Sequence, residues 1–265
     1  MRLGFLGCGK MASALIGGIL DARLAMAQEI FASDPAPAAL HALEAARGIR
    51  TVAGNRELAQ AADVLLLCVK PQDALEALAS VREVLAGKLV ISIVAGLTLA
   101  RLEEATGGAA RVIRVMPNTP ALIGEGAAAL SRGRAATVED AEVARQIFSA
   151  VGLAVEVKES LLDAVTGLSG SGPAYVYLFI EALADGGVRM GLPRALALEL
   201  AAQTVAGAAR MVRESGEHPA VLRDQVTSPG GTTSAGLEAL EAGAVRSDLI
   251  RAVRAATERS RELGA

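Results

Sequence analysis

The 265-residue chain has no tryptophan, and aromatic residues make up only 2% of it. That poverty argues against stacking platforms for nucleic-acid bases. There is no excess of positive charge either: the formal net charge is −3, with both signs spread along the chain. Neither nucleic acid nor an acidic membrane surface is an expected partner. Two cysteines, Cys8 and Cys68, and two histidines, His41 and His218, are too few and too scattered for a zinc site, so no metal is expected. The same cysteine usage fits a reducing, cytoplasmic setting. No uncharged apolar run reaches roughly 18 residues, so no transmembrane helix is expected. The N-terminus runs directly into a short strand with no signal-peptide layout. No Ser-His-Asp set, catalytic carboxylate pair or phosphate-binding lysine loop stands out, which leaves any chemistry to a cofactor.

What is present is a well-packed composition, 52% hydrophobic and 21% charged. Its first motif starts at once. Arg2–Gly7 reads as a buried strand and Met11–Leu20 as a helix, with Gly7-Cys8-Gly9-Lys10-Met11-Ala12 between them. The spacing is G-x-G-x-x-A. The first glycine permits a tight turn, the second lets backbone approach a pyrophosphate, and the small third residue lets helix and strand pack closely. Glu29–Ser33 reads as the second strand, ending at Asp34. An acid there can hydrogen-bond an adenosine ribose and favours NAD, and no Arg or Lys lies between Ser33 and Ala46 to meet an NADP phosphate. Asp34 can equally cap a helix over Pro35–Ala46. The lean is away from strict NADP use, with Lys10 a partial compensation.

Further strands are expected at Asp63–Val69, Lys88–Val94 and Arg111–Val115, with Gly126–Ser131 and Leu153–Val157 extending the sheet. Helices at Asn55–Ala62, Leu75–Leu85, Leu99–Ala105 and Val138–Ala150 alternate with them. This order predicts a parallel sheet whose ligand sits at the carboxyl ends of the strands, over the loops Gly7–Met11, Val69–Pro71, Val94–Gly96 and Met116–Pro120. Asn118 and Thr119 in the last of these suit an amide or a substrate.

After Lys158 the strand signals stop. Leu161–Leu168, Ala174–Met190, Pro193–Ser215, His218–Val226, Thr233–Glu241 and Ala244–Glu262 read as helices, and Gly167–Pro173 as a small-residue interruption. The expected organisation is an α/β domain over 1–158, Rossmann-type with a mostly parallel sheet, followed by an all-α domain over 159–265. The second has more apolar helix surface than its length can cover, which predicts dimerisation through it. Gly186 and Gly187 within a helix point to close helix packing. Within the helical half, Val226–Gly236 breaks the pattern with Pro229, Gly230, Gly231 and the hydroxyls of Thr227, Ser228, Thr232, Thr233 and Ser234. It reads as a tight loop opening a helix, whose free N–H groups attract a carboxylate, or else as an ordinary cap.

Six segments in order carry a family likeness: Phe5–Met11, Cys68–Pro71, Val115–Pro120, Gly167–Tyr175, Glu217–Pro219 and Ser228–Thr233. The chain resembles pyrroline-5-carboxylate reductase along essentially its whole length. The resemblance implies reduction of 1-pyrroline-5-carboxylate to L-proline with NADPH or NADH. It also implies a helical domain interlocked with a second subunit, in a homodimer that can assemble into larger rings. It places Thr233 beside the ring nitrogen of the imine as the catalytic residue, with Ser228, Gly230, Gly231, Thr232 and Thr233 binding substrate. The cofactor set is Gly7, Gly9, Lys10, Met11, Ser33, Asn55, Val69, Lys70, Pro71 and Asn118. Family members usually carry Asn where this chain has Lys10, and a basic or neutral polar residue near Asp34; both departures bear on cofactor preference.

Two other readings compete. A related hydroxy-acid or imine dehydrogenase shares the glycine fingerprint, but the hydroxy-acid enzymes need an acid/base lysine in the second domain, and residues 159–265 contain none. A non-catalytic dinucleotide sensor leaves the Ser228–Ser234 loop without a purpose.

Overall fold

The structure is a computed structural model that describes residues 1–264. In chain order the elements are β1 (Leu3–Leu6), α1 (Lys10–Asp21), β2 (Ile30–Ser33), α2 (Pro37–Arg47), β3 (Arg50–Thr51), α3 (Asn55–Ala61), β4 (Val64–Leu67), α4 (Ala74–Val81) and β5 (Leu89–Ser92). They continue through α5 (Leu99–Ala105), β6 (Arg111–Met116), β7 (Gly126–Arg132), α6 (Val138–Ser149), β8 (Gly152–Glu156) and α7 (Leu162–Val165). Five helices close the chain: α8 (Gly172–Arg189), α9 (Arg194–Ser215), α10 (Pro219–Gln225), α11 (Thr232–Ala242) and α12 (Val245–Gly264).

The strands form one eight-stranded sheet in the order β3-β2-β1-β4-β5-β6-β7-β8. β1, β2, β4 and β5 are buried at every position, as parallel strands covered on both faces must be. Their side chains alternate between two cores. Leu3, Phe5, Leu66 and Ile91 face α1 and α6 residues such as Ile16 and Phe148, whereas Leu6, Leu65, Leu67 and Val90 face Leu58, Leu78 and Leu102. The α/β class expected from the alternating pattern is the class observed.

The sheet is mostly parallel, as expected, and has two details that the apolar pattern does not foretell. β7 runs antiparallel to β6, and β8 then pairs parallel with β7. The link is only residues 117–125, with a single 3-10 segment over Thr119–Ile123. A parallel return needs a crossover of about a dozen residues or more, so a link this short reverses the chain. The second is β3, an edge strand of Arg50 and Thr51 alone, too short and polar to leave an apolar run.

The Gly167–Pro173 interruption is not a break. Thr166–Gly170 forms a π-turn, closed by Ser171 N–H donating to the Thr166 carbonyl at 2.8 Å, and α8 begins at Gly172. Small residues here let the helix widen by one residue without losing its hydrogen bonds.

Compact packing divides the chain into residues 1–171 with 255–265, and residues 172–254. The second unit is built on the α8–α9 pair around buried Ala184, Ala197 and Ala201. A Cβ on Gly187 would sit 3.3 Å from Ala197 Cβ, so this glycine does permit close helix approach, while Gly186 has open space around it. Most large apolar side chains of these helices are exposed in the single chain, Leu178 at 67% and Tyr177 at 61% among them. α9 is long and apolar enough by length and composition to cross a membrane, with a mean hydropathy of 1.2 over its most apolar window. The search for uncharged runs passes over it because Glu199 and Arg210 interrupt it.

Candidate active site

The loop after β1 is held from two sides. Gly7 has φ +95, a left-handed value that favours glycine, and a Cβ there would lie 2.9 Å from the Cys68 carbonyl group after β4. Its N–H donates to the Ser33 carbonyl at 2.9 Å. Gly9 then caps α1 in extended backbone with no side-chain cap, no acid occupies the first turn, and a Cβ at Gly9 would meet no atom within 4 Å. Ala12 is fully buried against the sheet. The opening of α1 is therefore a set of N–H donors with no partner among the described residues and open space before them, the arrangement a pyrophosphate needs. These residues fit a dinucleotide.

Asp34 turns out to serve the loop itself. One carboxylate oxygen accepts the Cys8 N–H at 2.7 Å and the other accepts the Ala36 N–H at 2.8 Å. It fastens the glycine loop to the start of the β2–α2 connection. Asp34 is thus not the N-cap of α2, a helix that starts at Pro37 after Ala36. The hydroxyl of Ser33 donates to Asn55 Oδ1 at 2.8 Å, and Asn55 Nδ2 donates to Ser80 Oγ at 3.1 Å. Those two expected cofactor residues are joined to each other, at the carboxyl end of β2 and the start of α3. Lys70 and Pro71 open a 3-10 turn after β4, with Val69 half-buried before them. Lys10 is exposed at the start of α1, and Met11 packs against the core. An open cleft of about 520 Å³ beside the loop is lined by Lys10, Ser13, Leu43, Arg47 and Leu122. Arg47 lies one residue past the cation-free stretch Ser33–Ala46, in the last turn of α2, so the sequence window that ends at Ala46 does not contain it.

Cys8 and Cys68 lie in the adjacent loops after β1 and β4. Burial pushes the Cys8 thiol up to about 12, with the charge of Asp34 adding to the effect. Burial pushes Cys68 up as well, reinforced by Cys8. Both stay neutral thiols at neutral pH, neither nucleophiles nor anions facing a phosphate.

Asn118 lies just beyond the end of β6 and is 9% exposed. Its Oδ1 accepts the Ala127 N–H of β7 at 2.8 Å, and its Nδ2 donates to the Ser169 carbonyl of the π-turn at 3.0 Å. Both ends of its amide are thus engaged within the protein.

In the second unit, Ser228–Gly231 is a tight turn closed by Gly231 N–H donating to the Ser228 carbonyl at 3.0 Å. Gly230 has φ +66, and a Cβ at Gly231 would lie 2.2 Å from Ser228 Oγ. The Gly231 N–H is therefore used by the turn and is not among the free donors that the sequence led us to expect. The N–H groups of Thr232 and Thr233, in the first turn of α11, have no partner among the described residues. Thr233 is half-buried and Thr232 exposed. Upstream, His218 caps α10 by accepting the Ala220 N–H at its Nδ1, consistent with a helix start and not a catalytic base.

Comparison with known proteins places this geometry. Residues 159–263 match the family described as pyrroline-5-carboxylate reductase dimerisation. Residues 2–96 match the family described as NADP oxidoreductase, coenzyme F420-dependent. A pyrroline-5-carboxylate reductase of Methanosarcina acetivorans is 49% identical, covering 99% of this chain and 98% of that protein. One from Arabidopsis thaliana is 46% identical over 99% of this chain and 95% of its own length. Among solved structures, a Plasmodium falciparum pyrroline carboxylate reductase with NADP bound is 38% identical with a TM-score of 0.89, covering 100% of this chain and 98% of that one. Identity at this level over both halves shows that the chain belongs to the pyrroline-5-carboxylate reductase family.

Proposed function

We propose that the protein reduces 1-pyrroline-5-carboxylate to L-proline with NADH or NADPH, the closing step of proline synthesis. The observation that carries this reading is the opening of α11. Two consecutive threonine amides stand without partners there, behind a glycine pair shaped for the turn, in a chain with full-length reductase relatives. A carboxylate is the ligand such a helix start holds best.

A dinucleotide held by its pyrophosphate at the opening of α1 would supply a hydride from its reduced nicotinamide. The work of this chain is positional. The Thr232 and Thr233 amides hold the substrate carboxylate, with Ser228, Gly230 and Gly231 shaping the turn around it. Thr233 Oγ1 hydrogen-bonds the ring nitrogen and so fixes which face of the C=N carbon is presented. A protonated imine is the better electrophile, and the nitrogen leaves the reaction as a protonated amine. A threonine hydroxyl is a weak acid, so Thr233 orients the imine, and the proton comes from solvent. Holding two reactants in an attack geometry supplies most of what such a reaction needs.

Gly7, Gly9, Lys10 and Met11 are assigned to the pyrophosphate. Ser33, Asn55, Val69, Lys70 and Pro71 are assigned to the adenosine side and the adjoining loops. The Asp34 carboxylate disfavours the extra phosphate of NADPH, while Lys10 and Arg47 supply positive charge in the flanking cleft. We read the enzyme as using either cofactor without strict NADP dependence. The exposed apolar surface of α8 and α9 is assigned to a homodimer, which can assemble further into a ring, and not to a bilayer or a nucleic acid. The cytoplasmic setting belongs to the same reading.

The test mixes purified protein with 1-pyrroline-5-carboxylate and each reduced cofactor, and follows loss of the nicotinamide absorbance. Substrate-dependent oxidation is expected with both. Oxidation of neither would overturn the reading in favour of a dinucleotide sensor. Oxidation only with a different cyclic imine or a keto acid would favour another dehydrogenase.

A further inference from the structure

We propose that Asn118 is a positioning residue of the reductase: it clamps the π-turn Thr166–Gly170 to the carboxyl edge of the sheet. The proposal rests on the reductase reading above for what that edge does, and on the structure for the clamp.

Three observations bear on it. Asn118 is the second residue past β6, after Pro117, on the edge that also carries the loops after β1, β4 and β5. In a sheet of this kind the ligand lies across that edge. Its amide bridges two elements far apart in sequence, Ala127 at the start of β7 and Ser169 in the π-turn. The turn is also pressed onto β6 directly, since a Cβ on Gly170 would lie 2.7 Å from Met116 Cε.

Within the turn the other hydroxyls face inward. Thr166 Oγ1 donates to the Leu162 carbonyl and Ser169 Oγ to the Val165 carbonyl. The Ser169 carbonyl lacks the usual helical donor four residues on, because residue 173 is a proline and has no N–H. Asn118 supplies that donor. An asparagine suits the post because it offers a donor and an acceptor from one rigid plane. At 9% exposure it has little surface left for a cofactor. It therefore acts through the turn, by fixing one wall of the edge on which the dinucleotide lies.

Two variants separate this role from direct cofactor contact. Asn118→Asp keeps the volume and the acceptor for Ala127 N–H but turns a carboxylate on the Ser169 carbonyl. Asn118→Ala removes both bonds. For each, NADH affinity is measured by fluorescence titration, steady-state kinetics with 1-pyrroline-5-carboxylate, and hydrogen exchange by mass spectrometry. The expectation is a kcat lowered about tenfold or more with NADH Kd held within about twofold, because a small misplacement costs rate more than binding. Exchange should rise in residues 162–172 and stay unchanged in β4 and β5. If NADH Kd weakens in step with kcat/KM, Asn118 is a cofactor contact and the proposal is wrong. Wild-type kcat in Asn118→Asp also overturns it, even if Asn118→Ala fails to fold. An inactive wild-type protein would instead fail the reductase reading, while the exchange arm would still decide whether the clamp exists.

Discussion

At the scale of single residues, Asp34 and Thr233 carry the sharpest expectations. Asp34 stands at the carboxyl end of β2, where the ribose of the proposed dinucleotide is expected, yet it already binds the Cys8 and Ala36 amides. Asp34→Ser removes the charge. The ratio of kcat/KM for NADPH over NADH should rise about tenfold, equivalent to ~1.4 kcal/mol of relieved repulsion. An unchanged ratio would confine Asp34 to fastening the loop. Thr233→Ala removes the hydrogen bond proposed between this residue and the substrate and leaves the α11 amides in place. It should lower kcat/KM for the imine by about tenfold without weakening NADH binding, as the loss of one hydrogen bond of roughly 1.5 kcal/mol would. Full activity at limiting and saturating imine would remove Thr233 from the site. Both residues were visible in the sequence. Their partners were not, because a carboxylate's choice between a ribose, a helix end and a neighbouring loop depends on atoms some 26 positions away.

At the scale of elements, the joint between β6, α5 and the segment after β8 illustrates how the sheet is tied together. Arg114 on β6 is buried, with its side chain 9% exposed, and pairs with Glu159 at 3.0 Å. The same Glu159 oxygen accepts the Leu99 N–H, the first of α5, at 2.6 Å. Glu159→Ala leaves a buried guanidinium unpaired and a helix amide unsatisfied. Unfolding free energy should fall by about 2 kcal/mol, discounted for the partial exposure of Glu159. In a unit of this size that is a Tm drop of roughly 4–8 °C by differential scanning calorimetry. A Tm within error of the wild type would mean that solvent replaces the pair at no cost. The strands and helices around this joint were legible, since α5 spans the expected Leu99–Ala105 and β6 starts at the expected Arg111. The direction of β7 and the π-turn were not. A strand's apolar pattern reads the same in either direction, and a π-turn adds one residue without changing composition.

At the scale of the whole molecule, the helical half has an interface's surface and a small core. Ala184, Ala197 and Ala201 are its buried cluster, while Val176, Leu178, Leu183, Leu198 and Leu200 remain exposed in one chain. The match of residues 159–263 to a dimerisation family agrees with that surplus. Leu178→Glu puts a charge into the surface assigned to the partner. Light scattering after gel filtration should shift from a multiple of 27.0 kDa toward the single-chain mass, because burying an unpaired carboxylate costs several kcal/mol. An unchanged oligomer would put the interface elsewhere. What the sequence by itself determined were features set by local chemistry: the glycine loop that requires positive φ at Gly7, the buried strands, the two-part α/β and all-α order, and a helix opening after the Pro229–Gly231 turn, expected at Thr233 and found at Thr232. What only the tertiary structure decided were the partners: Asp34 on the glycine loop, Asn118 between β7 and the π-turn, the reversed β7, and the Gly231 amide spent within its own turn. Backbone preference is written in neighbouring residues, whereas a hydrogen bond is settled by whichever group the folded chain brings within about 3 Å.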